Sequence, residues 1–177
     1  YLLSLAVTFS CQDVSFLLID FKGGTMANAL AKLPHTAGII TNLDKGILMR
    51  CMCAIEGELT RRQQQLADTG ERYGISSMDI DKYMQLRKQH PSLTAMPHLF
   101  LVADEFAELK QLFPAVLDHL RQCARIGRSL GIHLLLATQK PFGVVDEQIW
   151  SNARFRLCLK VADRNDSMDM LKKDSAV

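Results

Sequence analysis

The chain has 177 residues, of which 48% are hydrophobic and 23% charged, and its formal net charge is +2. That length supports one domain with a substantial core, and the charge is too small to announce a nucleic-acid partner. The five cysteines, Cys11, Cys51, Cys53, Cys123 and Cys158, form no Cys-x-x-Cys pair, which argues against a disulfide framework or zinc site and for reduced thiols, while the longest apolar runs are strand-sized, too short to span a membrane.

In chain order, Tyr1 to Val7 carries an apolar helical pattern with neither Met nor a capping residue ahead of it, and reads as a helix entered partway along. Val14 to Ile19 is a continuous apolar run ending at Asp20, and Ala37 to Thr41 is a weaker strand. From Asp44, placed as an N-cap, Leu48, Met52, Ile55, Leu59 and Leu66 follow helical spacing, with Arg61 to Gln65 as a polar stretch. Residues 68–97 are polar, hold a helix around Met78 to Lys88, and are expected to form a surface insertion rather than core.

Leu99 to Ala103 repeats the design of the first run and ends at Asp104-Glu105. A helix starting near Pro114 is expected to bury Leu117, Leu120 and Ala124 and to end at Gly131. Ile132 to Ala137 is a third apolar run, ending at Thr138-Gln139. Phe155, Leu157, Leu159 and Val161 alternate with polar neighbours, the pattern of a half-exposed strand near a sheet edge. Strands alternating with helices predict a single α/β domain over 1–177, a three-layer α/β/α sandwich with a mostly parallel sheet. The polar ends of its strands place the chemistry on the carboxyl edge.

The strongest local signal is the buried strand that delivers Asp104 and Glu105 to its end. In P-loop NTPases this is the Walker B arrangement: the first carboxylate holds Mg²⁺ through its water shell, and the next orients or activates the attacking water. Acids that merely cap the following helix are the competing reading. Thr138 and Gln139 end the next strand, where such enzymes place a residue that senses the γ-phosphate or the water, and Gln139 can both donate and accept. Arg121, Arg125 and Arg128 fall at i, i+4 and i+7, one basic stripe of a helix. At a subunit boundary Arg128 could neutralise charge in a neighbouring site, although a solvated helix face is the usual fate of such a stripe. Asp20-Phe21-Lys22-Gly23-Gly24 reads as a turn open to close backbone approach or as a simple strand-to-helix turn. His90, His98 and His133 each stand alone in sequence, without metal-ligand spacing. None of the ten glycines begins a G-x-x-x-x-G-K-[ST] phosphate loop, so the expectation is that the chain is truncated ahead of residue 1 and inactive by itself.

Taken in order, Leu17-Leu18-Ile19-Asp20-Phe21-Lys22-Gly23-Gly24, Pro97-His98-Leu99-Phe100, Asp104-Glu105-Phe106-Ala107-Glu108-Leu109, Ala124-Arg125-Ile126-Gly127-Arg128-Ser129-Leu130-Gly131-Ile132-His133, Ala137-Thr138-Gln139-Lys140-Pro141 and Gln148-Ile149-Trp150-Ser151-Asn152 resemble an FtsK/SpoIIIE domain of the type VII secretion ATPases, the EccC/EssC type. The resemblance covers nearly the whole chain. It implies a RecA-like P-loop fold and an ATP- and Mg²⁺-dependent motor module in a membrane-anchored protein of the bacterial cell. Such a module works at the cytoplasmic face in a hexamer, beside other ATPase modules of the same chain, and exports small helical WXG-type proteins. By the same resemblance Asp104 and Thr138 bind the nucleotide and its metal, and Glu105, Gln139 and a trans-acting Arg128 are catalytic. A DNA translocase of the same superfamily and a non-catalytic substrate-binding module are the alternatives. Flanking sequence and neighbouring genes discriminate the three.

Overall fold

The computed structural model describes residues 1–20, 24–41, 45–139, 147–153 and 155–177. The expected N-cap Asp44, the turn residues Phe21, Lys22 and Gly23, and Lys140-Pro141 lie outside them. The three continuous apolar runs and the weaker one become strands β1 (Val14–Asp20), β2 (Thr36–Ile40), β3 (His98–Asp104) and β4 (Ile132–Leu136). They form one sheet in the order β2-β1-β3-β4, with every pairing parallel. Runs without alternation suit this sheet because both of its faces are covered.

One face packs on α3 (Lys45–Tyr73), α4 (Ile80–Gln89), α5 (Phe106–Leu112), α6 (Val116–Leu130) and α7 (Glu147–Asn152), through Ile19, Leu101, Ala103 and Ile132 of the strands. The other packs on α1 (Leu2–Thr8) and α2 (Thr25–Leu30), through Val14, Phe16, Leu18 and Val102. The predicted stripe Leu48, Met52, Ile55, Leu59 and Leu66 of α3 is buried, each such side chain contributing about 1.5–3 kcal/mol of apolar burial. At the chain's end α8 (Arg164–Leu171) is capped by the Asp163 carboxylate, which accepts from the Asn165 N–H.

Two expectations are corrected. Residues 68–97 are not peripheral: their first part continues α3, and Ile80, Tyr83 and Met96 are fully buried in the larger core cluster. The segment's polar composition hides this because its burial rests on a few side chains; the Tyr83 hydroxyl donates to the Thr94 carbonyl at 2.8 Å while receiving the Gln65 amide at 2.6 Å. Second, Phe155 to Val161 forms neither helix nor strand and joins no strand ladder among the described residues. Phe155, Leu157 and Leu159 are 97%, 81% and 75% exposed, so alternation alone did not make a sheet edge.

The turn from α6 into β4 requires Gly131. Its φ of 71° is left-handed, and a Cβ there would stand 2.6 Å from Ile80 Cγ1 and 3.2 Å from the Arg62 guanidinium.

Candidate active site

The chain leaves β1 for β2 on one side and returns for β3 on the other, so the switch in strand order falls between β1 and β3. In open parallel sheets the crevice at the carboxyl ends of such strands is where ligands bind. There the sequence has placed its acids: Asp20 ends β1, Asp104 ends β3, and the two are direct partners in the parallel register. Partners across adjacent strands share a face, so both carboxylates project toward the α1/α2 side. Asp20 is 1% exposed and accepts the Ala27 N–H at 3.2 Å in the first turn of α2. Asp104 is half-buried.

Glu105 follows with φ 57° and ψ 62°, a left-handed backbone on a non-glycine residue, at the N-cap of α5. Holding such a residue there costs on the order of 1–3 kcal/mol, and strain of this kind concentrates where side chains are aimed for function. β4 supplies the support: the Ala137 N–H donates to the Ala103 carbonyl at 2.9 Å, and the Phe106 N–H donates to the Ala137 carbonyl at 2.7 Å. The strand pair is thereby extended past both acids. Thr138 then donates its hydroxyl to Glu105 Oε1 at 2.9 Å, and the Gln139 N–H approaches the same oxygen at 3.4 Å.

Asp104, Glu105, Thr138 and the backbone of Gln139 are therefore together, with the Gln139 residue itself exposed. Arg128 is not among them. It is exposed in the last turn of α6, which passes through Gly131 directly into the first residue of β4, so it lies at the amino edge. A five-residue strand, roughly 17 Å, separates that edge from the carboxyl one. Arg125 is likewise exposed, whereas Arg121 is paired with Asp118 at 2.6 Å.

The residue that sequence reasoning missed is Asp20; its signal was the repeated design of an apolar run closed by Asp. His98 and His133, read as solitary, are neighbours: His98 Nδ1 lies 2.9 Å from His133 Nε2, across β3 and β4 at the amino edge.

Among the described residues no cluster of three or more His, Cys, Asp or Glu is arranged to hold a metal ion. The donor set at the carboxyl edge fits a magnesium ion nonetheless, because that ion keeps most of its waters and takes one or two carboxylates alongside nucleotide phosphates. Asp104 can face such a hydrated ion, and Glu105, one oxygen anchored by Thr138, can accept a hydrogen bond from a water beside it.

A parallel sheet of this order, with paired acids at the end of its third strand, defines the class of RecA-like P-loop ATPase domains. Within that class the chain belongs to the FtsK/SpoIIIE family, whose model matches residues 1–142. It is 51% identical over 176 residues to the type VII secretion system protein EssC of Staphylococcus aureus and 51% identical over 178 residues to the ESX secretion system protein EccC of Geobacillus thermodenitrificans. Each comparison covers 99% of this chain but 12% of the relative, so the chain spans about an eighth of their length. Among solved structures, the cytoplasmic domain of the type VII secretion ATPase EccC of Thermomonospora curvata superposes with a TM-score of 0.85 at 33% identity, over 99% of this chain and 20% of that one.

Proposed function

We propose that this chain forms part of an ATP-hydrolysing motor module of a type VII secretion ATPase, coupling hydrolysis to export of WXG-type proteins. The observation that carries the reading is the Asp104-Glu105 pair at the end of β3 with Thr138 hydrogen-bonded to Glu105, within a chain of this family. In the proposal Asp104 faces the hydrated Mg²⁺ of bound Mg-ATP, which neutralises charge on the phosphates. Glu105 orients the attacking water and receives its proton, and Gln139 stands at the exposed rim to sense the γ-phosphate. The 177 residues contain no G-x-x-x-x-G-K-[ST] motif, so the phosphate cradle comes from polypeptide outside them, and these residues alone do not hydrolyse ATP. The parent is proposed to be anchored in the bacterial membrane and to carry this module on its cytoplasmic face, with further ATPase modules in the same chain and six copies in the assembled machine.

The amino-edge placement of Arg128 supports a role in trans. It stands too far from its own Glu105 to serve it, yet its exposure lets a neighbouring copy's carboxyl edge meet it. Mixing full-length Arg128→Ala with full-length Glu105→Gln tests this, because some interfaces then join an intact Glu105 to an intact Arg128. Partial return of turnover is expected; no recovery removes Arg128 from the site.

For the reading as a whole, Glu105→Gln in the full-length protein keeps ATP affinity and lowers turnover by about 10²–10⁴, since the amide keeps the shape but accepts no proton. Secretion of the WXG-type cargo stops with it. Unchanged turnover would reject the proposed chemistry.

A further inference from the structure

We infer that Thr138 is a positioning residue: its hydroxyl fixes the Glu105 carboxylate in the pose that orients water, and does not itself contact the nucleotide. The inference rests on the reading of Glu105 as the catalytic carboxylate.

Three observations carry it. The Thr138 hydroxyl proton is engaged with Glu105 Oε1 at 2.9 Å, and a threonine has a single O–H to donate, so while this bond stands it donates to no phosphate oxygen. The Gln139 N–H converges on the same oxygen at 3.4 Å, so two donors from successive residues hold one end of the carboxylate. Finally, the donor is fixed by backbone rather than by a loose loop: Ala137 is bonded on both sides of the acid pair, to Ala103 at 2.9 Å and Phe106 at 2.7 Å. Threonine is also stiff at χ1, so the hydroxyl position follows the strand. The other end of the linkage is equally constrained, because Glu105 leaves the backbone from a left-handed conformation. A base held by a third group in this way is the general design for activating a weak nucleophile.

The test uses the full-length protein and four variants: Thr138→Val, Thr138→Ser, Glu105→Gln and the Thr138→Val/Glu105→Gln double. Thr138→Val is expected to lower kcat about ten- to hundredfold, the loss of one hydrogen bond to a charged group, with KM for ATP within about twofold of the parent. Thr138→Ser keeps the hydroxyl and stays near parental turnover. In the Glu105→Gln background Thr138→Val adds no further loss, because the residue acts only through Glu105. A tenfold rise in KM at unchanged kcat would show that Thr138 contacts the nucleotide, and a rise in kcat would show that the bond restrains Glu105; either overturns the inference. So does an additive loss in the double variant. If Glu105→Gln alone is without effect, the reading of Glu105 fails and takes this inference with it. If Glu105→Gln is inactive and Thr138→Val is silent, only this inference fails. Should valine lower the melting temperature enough to leave the protein unfolded, Thr138→Ala carries the same comparison.

Discussion

The two edges of the sheet handle polar groups in opposite ways. At the amino edge the groups around Arg62 satisfy one another. Arg62, 2% exposed, donates to Glu58 at 2.7 Å, to the Leu130 and Gly131 carbonyls at 2.8 and 3.2 Å, and to the Pro97 carbonyl at 2.8 Å. One side chain thus ties α3 to the end of α6 and to the approach to β3. Burial pulls the Arg62 guanidinium below its usual range, opposed by its bond to Glu58. Burial would raise Glu58, but hydrogen bonds from Arg61 and Arg62 hold it below the ordinary carboxylate range. Both shifts describe a tightly paired, desolvated contact. At the carboxyl edge two aspartates sit side by side in register and the next residue is held in a strained backbone. A buried polar network thus stands at one end and a strained backbone at the other, as expected where a site must meet a charged ligand.

The comparison breaks most visibly at Arg62. Replacing it by Ala leaves three carbonyls without this donor and Glu58 without its buried partner, and is expected to destabilise the domain by about 3 kcal/mol. Denaturant unfolding should show it, and Lys should not restore the loss, since an ammonium cannot span acceptors on α3, α6 and the β3 approach with one planar fork. An effect below about 1 kcal/mol would mean that the amino edge is not where stability resides. Gly131→Ala comes next, at roughly 2 kcal/mol, from a left-handed φ and the clash with Ile80. At the carboxyl edge the cost is expected to be small: Glu105→Gly relieves the left-handed strain while losing the Thr138 bond, leaving stability within about 1 kcal/mol of the parent while turnover is lost. A loss as large as that at Arg62 would erase the distinction between the edges.

This contrast also explains what could be read in the sequence. The strands were legible because runs such as Val14 to Ile19 and Leu99 to Ala103 fit a sheet covered on both faces, and the terminal acids marked the working edge. Asp20 obeys the same rule, but the paired glycines that follow it read equally well as a plain strand-to-helix turn. Arg62 was illegible: within Arg61 to Gln65 it looks like its solvated neighbours, and only the α6–β4 turn, 68 residues away in sequence, makes it core. The pairing of His98 with His133 likewise depends on register between strands 35 residues apart. Phe155 to Val161 shows the converse. Period-two patterning specifies which side chains share a face but names no hydrogen-bonding partner. In the structure Val161 donates to the Ala176 carbonyl, and Arg156 lies over the Trp150 ring at 4.1 Å.

An effect that is absent at neutral pH and grows only on acidification belongs to the histidine pair. Burial, reinforced by the adjacent His98, pushes His133 down to about 4, and burial also lowers His98, with Asp81 and Asp13 opposing and Arg62 adding to the shift. The 2.9 Å contact between ring nitrogens needs one donor and one acceptor, so the native pair is satisfied when neutral and disfavours a second proton. In the unfolded chain both rings take a proton near pH 6.5. Between about 6.5 and 4 the unfolded state therefore binds more protons than the native one, and stability falls as pH falls through that window. Above 6.5 the contribution is fully present; below about 4 His133 adds no further loss. Melting the domain at pH 7, 6 and 5 should show the decline, and His133→Phe, whose ring can pack on Phe100 as the imidazole does at 4.9 Å, should flatten it. A variant that declines in parallel with the parent would assign the acid sensitivity to groups outside the amino edge. A flattened curve, with Glu105→Gln declining like the parent, would confine it there.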